Sequence, residues 1–223
     1  MELRPGNSPP TPYPKPPWDT SGRAVFLPYV TARRDLELPR GFEPVALRGR
    51  CMGLLAYVVY EPPSPLTYHE LIWMPCMVQV RRNNRTIRGY FVSFMYVDDD
   101  TTLRAGRELW ALPKTWANFE DSKGQVAVSA DDGTQLRLEY ASRLPTLPAK
   151  SRMATLQSSN DGVVQFRAEM SGKGRPCRAS VSDFDSEQSG WRSFKSARRL
   201  GPMAVELTRF RSLMMAPNLL NIG

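Results

Sequence analysis

The 223-residue chain holds a single histidine and three cysteines. His69 alone excludes any mechanism that needs two imidazoles, and Trp73 stands where an HExxH zinc pattern requires its second histidine. No GxSxG elbow occurs, so a serine triad lacks its nucleophile turn. Gly22, Gly41 and Gly53 form no phosphate-cradling loop, and no cofactor is expected. Cys51, Cys76 and Cys177 are odd in number and never spaced as CxxC, which argues against a disulfide framework or a zinc site and fits a reducing compartment. Long apolar runs are missing too. No stretch approaches the roughly 18 residues of a membrane span, and the N-terminus lacks the apolar run of a signal peptide. The expectation is a cytoplasmic protein with no membrane partner.

What is present describes a folded chain. A hydrophobic fraction of 41% against 23% charged residues is ordinary for a globular protein and too apolar for a disordered one. The net charge of +8 raises the question of nucleic acid. The basic residues are poorly clustered, however. Arg81, Arg82, Arg85 and Arg88 surround Asn83-Asn84, which reads as a hairpin tip with solvated arginines, so no nucleic-acid partner is expected. Residues 1–18 contain seven prolines and read as an extended arm. The remainder, 19–223, lacks a Gly/Ser-rich linker and reads as one domain.

From residue 24 onward the pattern is mainly strand: 24–30, 52–60, 68–80, 87–97, 125–129, 135–141, 163–170, 178–181 and 203–210. Pro62-Pro63, Asn83-Asn84, Asp131-Asp132-Gly133 and Gly172 separate these runs as breakers. Helix is scarce. Residues 101–112 allow a short one, weakened by Gly106 and ended by Pro113. The fold class is α+β, mainly β: an antiparallel sheet rolled into a barrel with short flanking helices.

The chemistry concentrates in one stretch. Asp98-Asp99-Asp100 offers oxygen ligands for a magnesium ion, yet three acids at a strand end more often form a solvated turn, and no metal site is expected. Beyond them, Lys114 follows Pro113 and is flanked by Trp110, Leu112 and Trp116. Burial in such company disfavours the ammonium and favours the neutral, nucleophilic amine. The alternative is a surface lysine whose stem packs on the tryptophans while its head stays in water.

Tyr68-His69-Glu70-Leu71, Met95-Tyr96-Val97-Asp98 and Gly106-Arg107-Glu108-Leu109-Trp110, with Pro113-Lys114 after two more residues, resemble the acetoacetate decarboxylase superfamily in order and approximate spacing. The opening Pro16-Pro17-Trp18 and Gly22-Arg23 are similar to the start of many bacterial members; beyond about residue 120 the resemblance is faint. The resemblance implies a cone-like β-barrel, assembly into homo-oligomers, and Lys114 as the amine that forms a Schiff base. It also implies Arg23 facing the substrate, Glu70 as a pocket glutamate, Met95 on the pocket wall, and Leu55, Tyr68, Trp110 and Thr115 as further substrate-binding positions. Two positions depart from the family. Thr115 stands where a second lysine follows the first, and Leu55 stands where ungapped counting places a second pocket glutamate.

The expected function is that of a lyase acting on a keto compound, with a keto acid as the expected substrate. An imine on Lys114 withdraws electrons from the adjacent carbon, and decarboxylation, aldol or retro-aldol chemistry and dehydration share the resulting enamine. An enzyme of secondary metabolism is the alternative. It would cyclise, dehydrate or isomerise a larger intermediate, with or without an imine, in a pocket lined by Leu55, Trp73, Met74, Met77 and Met95. A binding barrel without catalysis is the third reading.

Overall fold

Side chains that alternate between two apolar environments shape this chain. The computed structural model describes residues 12–201 and 203–220. Strands β1 (Trp18–Ala32), β2 (Glu43–Pro44), β3 (Ala46–Leu47), β4 (Arg50–Tyr60), β5 (Tyr68–Met74), β6 (Cys76–Arg82), β7 (Arg85–Phe91) and β8 (Phe94–Val97) precede helix α1 (Asp100–Trp110). Strands β9 (Lys114–Ser122), β10 (Gln125–Ala130), β11 (Gln135–Ala141), β12 (Leu147–Ser159) and β13 (Gly162–Asp185) follow. The chain then passes through the single turn of α2 (Arg192–Lys195) to β14 (Arg198–Arg199), β15 (Met203–Met214) and β16 (Asn218–Leu220). With 63% strand and 10% helix the fold is mainly β, as the sequence pattern implied. No described helix is long and apolar enough to cross a membrane.

The main hydrogen-bonded path runs β11-β10-β9-β8-β5-β4-β1-β15-β13-β12-β7-β6-β2. An additional pairing between β11 and β13 makes the first part of this path return to its start. The expected all-antiparallel arrangement needs amending at two places, because β8 pairs with β9 and β7 with β12 in parallel. The first is forced by α1, which carries the chain back so that β9 enters beside β8 in the same direction.

Several expected boundaries move. Pro75 splits the run 68–80 into β5 and β6, since it has no N–H to give to a ladder. Strands β9 and β12 lie where no strand was read. The runs 163–170 and 178–181 are parts of one long β13, and Gly172 lies inside it rather than in a turn. A Cβ on Gly172 would stand 2.1 Å from the Arg209 carbonyl oxygen, so this glycine serves a close approach of β13 to β15. The β6–β7 hairpin does turn at Asn83-Asn84, both with positive φ (45° and 58°), the geometry of a type I′ turn. Of the proline-rich arm, residues 1–11 lie outside the described residues. Residues 12–17 form neither helix nor strand, and Trp18 already belongs to β1.

Strands β4 and β5 are buried on both faces. Leu55, Tyr57, Val59, Leu71 and Trp73 enter one core, with Tyr96, Val126 and Leu138. Ala56, Val58, Tyr60, Ile72 and Met74 enter a second, with Met95, Trp110 and Phe210. This two-sided burial explains why residues 53–60 read as a continuous apolar run instead of an alternating one.

Candidate active site

Helix α1 and the turn after it place Lys114 against the second core. Asp99 caps the helix by accepting from the Thr102 backbone N–H at 2.7 Å, so at least this acid of the run 98–100 serves as a helix cap. Its neighbour Asp98 accepts from the His69 backbone N–H at 2.7 Å and lies 2.6 Å from His69 Nδ1, tying β5 to the end of β8. The helix closes at Ala111, whose φ of 51° is left-handed. The Ala111 and Leu112 N–H groups both reach back to the Gly106 carbonyl, Leu112 at 3.0 Å, and occupy an acceptor that the helix end leaves open. The Lys114 N–H then donates to the Leu112 carbonyl at 2.8 Å around Pro113, a three-residue turn suited to the fixed φ of proline. Arg107 Nε donates to the Lys114 carbonyl at 2.8 Å and secures the start of β9 to the helix.

Gly106, expected to weaken the helix, sits within it because Lys114 lies directly on it. A Cβ there would stand 2.5 Å from Lys114 Cδ and 2.6 Å from Cε. The lysine therefore turns inward. It is 3% exposed, and the Nζ donates to Thr102 Oγ1 at 2.8 Å, forms an ion pair with Glu70 Oε2 at 2.9 Å and lies 4.9 Å from the centre of the Tyr68 ring. The reading of a surface lysine with a solvated head is overturned.

Glu70 is 4% exposed. Tyr60 Oη donates to its Oε1 at 3.3 Å, and Tyr68 Oη lies 3.5 Å from Oε2. Burial, reinforced by the charge of Glu70, pushes both phenols well above the usual tyrosine range. Both therefore remain protonated and present hydrogens to the carboxylate. The cluster opens into a cavity of about 80 Å³, against about 10–15 Å³ for one water. Its walls are largely apolar, and Met95, Tyr68 and Trp110 are among them.

The structure does not bring every expected residue here. Arg23 is absent from the cavity wall. Its partner across β4 is Val59, which enters the first core, and its guanidinium binds Asp121, Glu61 and Tyr140. Leu55 and Trp73 are fully buried in that same first core, on the opposite face of the sheet. Met77 and Thr115 also lie off the cavity wall; Thr115 follows Lys114 in β9 and so takes the other face of the strand. What sequence reasoning missed comes from two sources. Thr102 and Tyr60 are polar residues in apolar or charged surroundings that carried no motif. Met153, Thr155, Phe166, Met170 and Ser212 belong to the second half, where the resemblance faded; period-two alternation in 151–155 and 166–170 was the available signal.

The acetoacetate decarboxylase (ADC) family profile matches residues 1–212. The chain belongs to the acetoacetate decarboxylase family. Solved structures agree on the fold. The ADC from Legionella pneumophila superposes with a TM-score of 0.62 at 15% identity, covering 98% of this chain and 92% of its own. The enduracididine biosynthesis enzyme MppR complexed with pyruvate gives 0.58 at 15% identity, with 94% and 92% covered. MppR with the condensation product of pyruvate and imidazole 4-carboxaldehyde gives 0.56 at 16%, with 96% and 98% covered. No curated protein matches. The chain is thus an ADC-like enzyme.

Proposed function

We propose that this ADC-like protein is an imine-forming lyase in which Lys114 attacks the carbonyl of a keto substrate. The observation that carries the reading is a lysine 3% exposed, facing a cavity, with its amine 2.9 Å from an equally buried carboxylate. A surface-packing lysine needs neither the cavity nor the carboxylate.

Attack requires the amine without its extra proton, and Glu70 is the group positioned to take it. The nitrogen then bonds to the carbonyl carbon, and Glu70 passes two of the original ammonium protons in turn to the oxygen, which leaves as water and leaves the third on the iminium nitrogen. The iminium so formed faces the Glu70 carboxylate, and Tyr60 and Tyr68 hold that carboxylate in place. Electrons from a bond one carbon away flow into the iminium to give the enamine, and reprotonation with hydrolysis releases product. Thr102 orients the amine between attacks. On this reading the closed strand path is the family's cone-like barrel, serving as the rigid wall on which β5, β8 and β9 carry the site.

The pyruvate and pyruvate–aldehyde condensation product held by the MppR structures support carbonyl condensation chemistry on this fold. They favour the aldol branch alongside decarboxylation, and the modest cavity favours a compact substrate over a large intermediate. Replacing Lys114 with alanine tests the reading: turnover of the natural substrate should vanish, and full turnover in Lys114→Ala would overturn it.

A further inference from the structure

Apart from the exposed Ser151, the cavity wall holds two buried hydroxyls that the proposed imine step does not use. Thr155 on β12 is 3% exposed and Ser212 on β15 is 2% exposed, and both line the cavity. Neither Thr155 Oγ1 nor Ser212 Oγ has a hydrogen-bond partner among the described residues. Buried polar groups are almost always paired, because an unmade hydrogen bond in an apolar interior is costly. Apolar residues flank both, with Met153 and Phe166 beside Thr155 and Met170 and Met214 beside Ser212, while Thr20 on the other side of Ser212 spends its hydroxyl on the Ser212 carbonyl at 3.0 Å.

The charges of the wall point the same way. Among the described residues that line it, Lys114 is the one cation and Glu70 the one anion. Arg23 is turned to the other face and held by Asp121, Glu61 and Tyr140, and Thr115 brings no charge. Once Lys114 becomes an iminium, Glu70 balances it. A substrate carboxylate would then be a second buried anion beside Glu70, with no cation left to pair it.

We infer that the cavity takes an uncharged ketone or aldehyde with an apolar body and a second oxygen function, a hydroxyl or carbonyl, that Thr155 and Ser212 recognise. This rests on the imine reading and narrows it toward retro-aldol, aldol or dehydration chemistry. For a β-hydroxy ketone the iminium acidifies the carbon between the two functions, Glu70 takes its proton to give the enamine, and the enamine expels the hydroxyl, which leaves as water with the proton Glu70 returns. Alternatively, Glu70 takes the hydroxyl proton, the carbon–carbon bond breaks with its electrons entering the iminium, an aldehyde leaves and the enamine stays on Lys114.

The test is borohydride trapping at Lys114 with three probes: 4-hydroxypentan-2-one, pentan-2-one and acetoacetate. The hydroxy ketone should half-saturate trapping at the lowest concentration. Thr155→Val or Ser212→Ala should raise its half-saturating concentration about tenfold, leave pentan-2-one unchanged, and hold or raise the thermal midpoint, since each removes an unpaired hydroxyl. Two results would overturn the inference while sparing the imine: acetoacetate trapped most tightly, or neither variant separating the hydroxy ketone from pentan-2-one. Absence of any adduct with all three probes would overturn the imine reading itself.

Discussion

Alanine at position 106 sets helix stability against the position of the reactive amine. A new Cβ would stand 2.5 Å from Lys114 Cδ and 2.6 Å from Cε, whereas carbon atoms in contact settle at about 3.5–4.0 Å. The lysine stem must then retreat by roughly 1 Å. A misplacement of that size costs on the order of 10²-fold in rate. Stability responds differently. Alanine is favoured over glycine in a helix interior by about 1 kcal/mol, and overpacking costs about 1–3 kcal/mol, so the two largely offset. A net change of about 0–2 kcal/mol lowers the thermal midpoint of a chain of this size by at most about 8 °C, at about 2–4 °C per kcal/mol. Gly106→Ala should therefore remain folded by circular dichroism while its rate of borohydride-trapped adduct formation falls about 100-fold. Trapping at the unaltered rate would refute the argument that this glycine exists to seat the lysine.

Glu70→Gln keeps an acceptor for Tyr60 and Tyr68 but cannot take a proton, so kcat should fall by about 10²–10⁴-fold, read by steady-state kinetics on any substrate that turns over. Arg23→Ala should leave trapping at Lys114 unchanged and lower stability by about 1–3 kcal/mol, because Asp121 loses its guanidinium partner; urea unfolding alongside trapping reads both. Burial pushes the Cys76 thiol up to about 12 and Cys177 up to about 11 from 9.0, so both stay un-ionised in the folded chain well above pH 8. Iodoacetamide should label them slowly before unfolding and fast after. The same shifts act on stability: the contribution is complete below pH 9 and is lost as pH rises toward 12, by about 1.4 kcal/mol per pH unit and per thiol. The urea midpoint should accordingly fall between pH 8 and pH 11.

Much of the fold was legible because period-two runs and breakers are local. The hairpin at Asn83-Asn84 and the strands 125–129 and 135–141 carry their own turn chemistry and survive in the structure with small boundary shifts. Strand β9 escaped because Lys114, Asn118, Glu120 and Asp121 do not read as a strand; pairing with β8 and β10 overrides their preference. Gly172 misled because a glycine needed for close strand approach looks the same in sequence as a turn glycine. Within the site, Lys114, Glu70, Tyr68, Met95 and Trp110, residues that the family resemblance implied, all line one cavity. Arg23 and Leu55 failed for one reason. Facing is decided residue by residue along β1 and β4, and where both faces of a strand are buried the sequence carries no polar alternation to say which core a side chain enters. The unpaired hydroxyls of Thr155 and Ser212 were illegible for a different reason: a buried serine or threonine in a strand is ordinary until its partners are known.

Trapping the imine tests the central claim most directly. The intact chain would be incubated with a panel of keto compounds, charged and uncharged, reduced with borohydride, and examined by intact mass and peptide mapping. A single reduced adduct on Lys114, absent in Lys114→Ala, is the expected result. An unmodified Lys114 with every compound, in a chain that nevertheless turns over one of them, would contradict it.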